Sequence, residues 1–597
     1  MLQPLLRRFL RLRLWLVEKA RPSELQATLI GAGLVGFLGG MASILFRWGL
    51  EEVQYLLVRQ RGDLIATAAH FPRWERLLLP VAGGLLAGAT LQYGMRLLKR
   101  QNSTDYMEAI VLGNGEIRVR PTLVKSLSSL FTIASGGSIG REGPMVQLSA
   151  MIASWSGRRF KLSTPRLQLL VACGAAAGIA SAYNAPIAGA LFVAEIVLGS
   201  IAMESFGPLV FASVIATVTV KQVFHGQPVY QIPSFQLVSN WELGPYLLLG
   251  VVAGVLAPPF LRLLEESERL FSRLRAGAVV RLGLGGLAVG LLSVVSLKVW
   301  GNGYEVVDAI LSRDIVWQSV LLILVLKVLA TAATSGSGAV GGVFTPTLFV
   351  GAALGFLFGT PIHAEWPLQT GFPSAYALVG MGAFLAATTH APLMAMLMLF
   401  EMTLDHAIVL PLMLACVVAY YVSQSVRPAS IYARVLLRKR AQVPDAHIAD
   451  LRVRDLLKPK PITVPVAAHF DEIARSFAAN RYNYLYVVDA ENRFRGAISL
   501  HDIKAYLNHP DLADLAIALD LLRDDFPTLT PDVPLTEALR LFGGFDGERL
   551  PVVAGKENPV LLGTVSKTDL LLTLAHAPQS AAQEGSGMPV GSGASEA

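Results

Sequence analysis

The sequence predicts an α-helical polytopic membrane protein built on an inverted internal repeat, followed by a cytoplasmic pair of small α/β domains. Three observations carry this. Of the 597 residues, 53% are hydrophobic and only 16% charged, where a soluble globular chain runs near about 25% charged. The charges are also unevenly placed: residues 376–425 hold two charged side chains, Glu401 and Asp405, and residues 451–510 hold fifteen. The third observation is that motifs in the apolar part occur twice, in the same order.

The first 25 residues are Arg-rich and interrupted, which suits an amphipathic segment at the membrane interface better than a cleaved signal peptide. Arg7, Arg8, Arg11 and Arg13 precede the first long apolar run, and Arg434, Arg438, Lys439 and Arg440 follow the last. Cations so placed put both ends in the cytoplasm and make the number of crossings even. The net charge of +7 is thereby explained at the membrane flanks, and a nucleic-acid partner is not expected. Cys173 and Cys416 lie far apart in apolar segments and read as core residues, with neither disulfide nor metal-ligand spacing.

The apolar runs of the membrane body, 26–440, are broken at Gly136-Gly137 and at Gly336-Ser337-Gly338. Non-helical backbone is tolerated at membrane depth only where it is buried in protein or lines a cavity, and broken helices point to a transport site. Ser135-Gly136-Gly137-Ser138 returns 200 residues on as Ser335-Gly336-Ser337-Gly338, and each is followed by Gly-x-x-x-Pro, Gly140 to Pro144 and Gly342 to Pro346. Asn184-Ala185-Pro186 and His390-Ala391-Pro392 come next, each with a glutamate nine residues after its proline, Glu195 and Glu401. The body therefore reads as two related halves, 26–222 and 244–425, with the site between them near the midplane.

Gly140-Arg141-Glu142-Gly143-Pro144 opens an apolar helix. Free N–H groups at such a start carry partial positive charge and hold a desolvated anion without a cationic side chain, which keeps binding weak enough for conduction. Gly342-Val343-Phe344-Thr345-Pro346 repeats the arrangement, with the Val343 and Phe344 amides as candidate ligands; helix-packing glycines are the plainer alternative. Glu142 is an ionisable residue in an apolar region, where burial is costly and marks function. Its carboxylate either occupies the anion position and leaves it on protonation, or pairs with Arg141. Glu195 and Glu401 read as structural acceptors for a neighbouring turn, and His390, standing where Asn184 stands, as a turn cap. No catalytic residue and no metal ligand is identified: there is no nucleophile–base pair, no phosphate-binding Gly-Lys motif and no metal cluster.

These motifs resemble the signatures of the CLC family of chloride channels and proton/chloride antiporters. Thr104-Asp105-Tyr106-Met107-Glu108-Ala109 and Trp300-Gly301-Asn302-Gly303-Tyr304 resemble its ClcB-type bacterial branch. The resemblance implies a voltage-gated-type homodimer in the bacterial inner membrane with one chloride pathway per subunit. It further implies Glu142 as gating glutamate, anion contacts along Gly140, Arg141 and Gly143, and the Val343 and Phe344 amides with the Tyr432 hydroxyl at the central anion; Tyr432 is otherwise an interfacial aromatic. Two departures stand out. The family's Gly-Ser-Gly-Ile-Pro motif is replaced by Arg100-Gln101-Asn102-Ser103-Thr104-Asp105, so its anion-binding serine is missing from the usual place. The family's antiporters also carry a proton-passing glutamate where Ile196 stands, which favours a channel or a weakly coupled carrier over an antiporter.

Beyond residue 440 two units, 446–510 and 511–577, repeat Asp-Leu-Leu, an apolar strand, and Gly-x-x-Ser-x-x-Asp: Gly496, Ser499 and Asp502, then Gly563, Ser566 and Asp569. They resemble a pair of CBS domains. This implies a site for ATP, ADP or AMP, with Asp502 and Asp569 on ribose and Ser499 and Ser566 near phosphate, or else a dimer contact. Residues 578–597, rich in Ala, Gly, Ser and Pro, read as disordered. A CBS-regulated divalent-cation channel is the competing class, but a cation pore needs a negative field, opposite to that of two helix starts.

Overall fold

The computed structural model describes residues 24–59, 64–98, 104–111, 113–224, 235, 237–428, 430–432, 451–458, 461–479, 484–501, 503, 516–545, 547–555 and 557–570. The expected interfacial segment up to residue 23 and the expected disordered tail 578–597 lie outside them. The chain divides into two units, Met1–Leu436 and Leu437–Ala597.

In the first unit the described residues form nine helices long and apolar enough to cross a membrane. Together with shorter or less apolar helices between them, their order repeats. Arg73–Leu97, Val119–Ala134, Glu142–Arg159, Thr164–Tyr183 and Met203–Phe224 are matched by Ala278–Val295, Trp317–Gly336, Phe344–Glu365, Pro373–Thr389 and Val409–Val426. Neighbours repeat too: Glu142–Arg159 packs on Thr164–Tyr183 as Phe344–Glu365 packs on Pro373–Thr389. In lipid, where apolar surface drives no association, close backbone approach does the work and small residues permit it. The crossing of Arg73–Leu97 with Ala278–Val295, which joins the halves, shows this directly. A Cβ at Gly84 would overlap the Leu282 carbonyl, one at Gly286 the Pro80 carbonyl, and one at Gly290 the Leu77 carbonyl.

The repeated turns have the same backbone. Asn184 and His390 end their helices in the left-handed region, φ 56° and 57°, a conformation that short polar side chains tolerate. The helices that follow, Pro186–Leu191 and Pro392–Thr403, begin with orphan N–H groups. Each is capped by the glutamate of the other half. Glu401 accepts from the amides of Ile187 and Ala188 at 2.9 and 2.8 Å, and Glu195 from those of Leu393 and Met394 at 3.3 and 2.8 Å. The structural role expected for these two acids is what their bonds display. The halves differ in one respect: Glu195 sits in a π-helical turn, Phe192–Leu198, whereas Glu401 ends a regular α-helix.

In the second unit Tyr484–Val488 pairs parallel with Thr463–Pro465 and antiparallel with Phe494–Ser499. Arg549–Val553 pairs antiparallel with Leu561–Ser566, and Leu529 bridges in parallel to Val552. Both antiparallel pairs have their register shift at the same place, Val487/Val488 and Val552/Val553. The outer edges are exchanged. Lys458 pairs through its backbone with Thr564, at 2.9 and 3.0 Å, and Arg523 with Ala497, at 2.9 and 3.2 Å. Val453 accordingly shares a core with Leu550, Val552 and Val565.

The reciprocal caps generate a prediction. Each carboxylate makes two charge-assisted bonds, and such bonds contribute about 1.5–3 kcal/mol apiece. Glu401→Ala and Glu195→Ala should each lower the thermal unfolding midpoint of the detergent-solubilised protein by several degrees. An unchanged midpoint in either would remove that acid from the packing argument.

Candidate functional site

The two helix starts meet. Gly140 and Gly342 form an antiparallel bridge, Gly140 N–H to Gly342 C=O at 2.7 Å and Gly342 N–H to Gly140 C=O at 2.9 Å. This satisfies four groups that would otherwise be orphaned at membrane depth. Neither position admits a side chain, since a Cβ on Gly140 or Gly342 would overlap the Glu142 carboxylate. Gly143 backs onto the same strand pair, its Cβ position 3.1 Å from the Gly341 carbonyl carbon and the Gly342 nitrogen.

Glu142 opens the Glu142–Arg159 helix, is 3% exposed, and turns back across the bridge to the start of Phe344–Glu365. Its Oε1 accepts from the amides of Phe344 and Thr345, at 3.0 and 3.2 Å. Its Oε2 accepts from the Thr345 hydroxyl at 3.1 Å. That hydroxyl has one hydrogen, so the Tyr183 hydroxyl, 2.9 Å away, donates to it in turn. A carboxylate of the first half therefore sits where the second half's helix start has its free amides and its positive dipole end.

The other expected residues are arranged around this contact. Phe344 supplies one amide as a ligand to the carboxylate and Thr345 the other. Val343 stands one residue earlier as N-cap, its carbonyl accepting from the Thr347 amide at 3.0 Å and hydroxyl at 2.7 Å. Arg141 stacks its guanidinium on the Tyr304 ring at 5.6 Å and makes no ion pair with Glu142 among the described residues. Tyr432 is half-buried, edge-on to Phe192 at 5.6 Å, and Phe192 in turn lies against Phe344 at 6.4 Å. The altered segment around Ser103 lies outside the described residues. Its continuation is held by Gln147, which takes the Tyr106 amide at 3.0 Å and gives to the Thr104 carbonyl at 3.1 Å. Ile196 is packed against the core. Among the described residues no cluster of His, Cys, Asp or Glu could hold a metal ion.

Sequence reading passed over Thr345, Tyr183, Tyr304 and Lys327. Lys327 carried a usable signal: it is an ionisable side chain inside an apolar run, the criterion that singled out Glu142.

In the tail, Ser499 is buried and accepts from the His501 amide at 3.1 Å, while Asp502 lies outside the described residues. Ser566 and Asp569 are together: the Ser566 hydroxyl donates to Asp569 at 2.5 Å and accepts from its amide at 3.0 Å. Lys458 reaches the same carboxylate at 2.5 Å, brought there by the exchanged edge strand. Lys458 first, then Ser566, holds the Asp569 carboxyl below the usual carboxylate range. A group of lowered pKa stabilises the fold above its unfolded value, about 3.9 for aspartate, and stops doing so as pH falls through the folded value. Lys458→Met should therefore lower the tail's calorimetric unfolding temperature at neutral pH. The deficit should close once the pH drops below the carboxylate range.

Comparison with known proteins assigns the two parts of the chain to families. A family model described as voltage gated chloride channel matches residues 83–424, and the CBS domain model matches 453–509 and 517–576. A chloride channel protein named ClcB-like from Ralstonia nicotianae is 54% identical over 413 residues, covering 68% of this chain and 96% of the relative. The voltage-gated ClC-type chloride channel ClcB of Citrobacter koseri is 41% identical, covering 68% and 97%. Among solved structures, a slow cyanobacterial Cl−/H+ antiporter superposes with a TM-score of 0.61 at 27% identity, covering 70% of this chain and 98% of that one. A eukaryotic CLC transporter shares the fold at 19% identity, with a TM-score of 0.59 over 91% and 97% of the two chains.

Proposed function

The chain belongs to the voltage gated chloride channel (CLC) family, a membrane body with a CBS pair behind it, and on that premise we propose a chloride pathway gated by Glu142 and conducting in a channel-like manner. One observation carries the gate: the Glu142 carboxylate takes the two amides and the hydroxyl that an anion would take at the start of Phe344–Glu365. Carboxylate and chloride then compete for one site. Protonation removes the competing charge, the side chain leaves, and chloride binds to partial charges weak enough to release it. Gly140 and Gly143 leave room for the exchange, Arg141 stacks on Tyr304 beside it, and Tyr432 reaches Phe344 by way of Phe192.

Channel-like conduction rests on Ile196, an apolar group packed against the core with no proton to relay. The second reading, a proton-coupled antiporter, is favoured by likeness to two solved structures, the slow Cl−/H+ antiporter and a CLC-type fluoride/proton antiporter at 25% identity and a TM-score of 0.56. Glu195 is then the nearest relay. We also propose a homodimer in the bacterial inner membrane with both termini cytoplasmic, domain limits as expected from the sequence, and regulation by ATP, ADP or AMP at Ser499, Asp502, Ser566 and Asp569. The nucleotide would meet an Asp569 already engaged by Lys458, so binding there involves a change of partners.

Three tests follow from this reading. In proteoliposomes, Glu142→Gln and Glu142→Ala should lose most of the pH dependence of chloride flux; pH dependence like the wild type's in either would sink the gate. A chloride gradient should dissipate without sustained uphill proton movement, and pumping of protons would select the antiporter. Calorimetry with millimolar ATP, ADP or AMP should show binding that Asp569→Ala weakens by roughly tenfold to a hundredfold, the cost of one charge-assisted bond; absence of heat in the unmutated protein would leave the tail as a dimer contact.

A further inference from the structure

Lys327 lies in the middle of Trp317–Gly336 and is 0% exposed. An ammonium buried at membrane depth is costly and needs full compensation. It has three hydrogens, and three carbonyls face it: Val299 and Trp300 at 2.8 Å each, and Gly301 at 2.7 Å. Glu305 is within electrostatic range. The three carbonyls belong to one loop, so the lysine gathers consecutive peptide groups that would otherwise point apart, and so fixes the path of residues 299–304.

That loop brackets the gate. The Trp300 ring fills the space beside Gly136, where a Cβ would come within 2.6 Å of its Cδ2, and the Gly301 amide donates to the Gly136 carbonyl at 3.3 Å. Gly136 is in the positive-φ region at 96°, a conformation that an ordinary residue would strain. Three residues on from Trp300, within the second half, the contact set continues: a Cβ at Gly303 would stand 3.2 Å from Phe349, on the helix that supplies the Phe344 and Thr345 amides. Tyr304 takes the Arg141 guanidinium. The loop thus touches the chain on both sides of the Gly140 bridge and the helix opposite it.

We infer that Lys327 is a positioning residue for the Glu142 gate: through the 299–304 loop it holds the segment carrying Glu142 at the distance that lets the carboxylate reach the Phe344 and Thr345 amides. The inference rests on the gate reading above. The titratable and charged groups around Glu142 are Tyr106, Tyr183, Tyr304 and Tyr432, with Arg141 and Arg47 near Tyr304 and Asp105 near Tyr106. Lys327→Met alters none of these.

The test is chloride flux against pH in proteoliposomes for four proteins: unmutated, Lys327→Met, Glu142→Gln, and the double variant. A loosened loop lengthens the bonds that keep the carboxylate in the site, so chloride displaces it more easily. In Lys327→Met the pH of half-maximal flux should rise by about half a unit or more, the effect of losing about one hydrogen bond at the carboxylate. In the Glu142→Gln background the same change should leave flux unaltered. Equal loss of flux in both backgrounds, with no shift in the pH profile, would make Lys327 a support of the fold only and overturn the inference. Wild-type pH dependence in Glu142→Gln alone would instead overturn the gate, and is seen in a different sample. If Lys327→Met does not accumulate, Lys327→Gln, whose shorter amide has two hydrogens for the three carbonyls, should give an upward shift of the same sign; an unshifted profile there would equally refute the role.

Discussion

Backbone in the middle of a membrane must answer for every N–H and C=O it exposes, and the bridge between Gly140 and Gly342 is where this chain meets that constraint. Two helices begin just beyond the bridge, and the segments leading into them lend each other a peptide group. With those groups paired, the Phe344 and Thr345 amides two and three residues further along remain at the helix start, and the Glu142 carboxylate takes both. The glycine crossing of Arg73–Leu97 with Ala278–Val295 and the exchanged caps of Glu195 and Glu401 hold the halves in the register this bridge requires.

Much of the site was legible because spacing in sequence records it. The Gly-x-x-x-Pro pair, the turn residues Asn184 and His390, and the glutamate nine residues after each proline are local signals, and their recurrence ties the halves together. Glu142 stood out because a charge among apolar residues needs a partner. What spacing does not record is which partner. That Thr345 contributes both an amide and a hydroxyl, that Arg141 turns to Tyr304, and that Lys327 meets carbonyls 26 to 28 positions back are results of packing between helices. No one-dimensional pattern contains them.

The tail shows the same limit in a soluble setting. Its duplication was readable from Gly496-x-x-Ser499 and Gly563-x-x-Ser566, and the two strand pairs repeat even their register shift. The exchange of edges was not readable, because Lys458 and Arg523 follow identical Asp-Leu-Leu triplets and nothing local says that each completes the other sheet. Yet that exchange is what places an ammonium on Asp569, so the electrostatics of the candidate nucleotide site depend on a strand contributed from more than a hundred residues away.

The exchanged caps also set a schedule for making the protein. The amides of Ile187 and Ala188 wait for Glu401, 214 and 213 residues further along. At about 5–20 residues per second of synthesis, that interval is on the order of ten to forty seconds. Throughout it the start of the Pro186 helix lacks the carboxylate that caps it in the finished protein. The exchange of caps is therefore completed late in synthesis, and a chain arrested just before residue 401 holds the Gly342 side of the bridge but lacks the carboxylate for its own Pro186 helix.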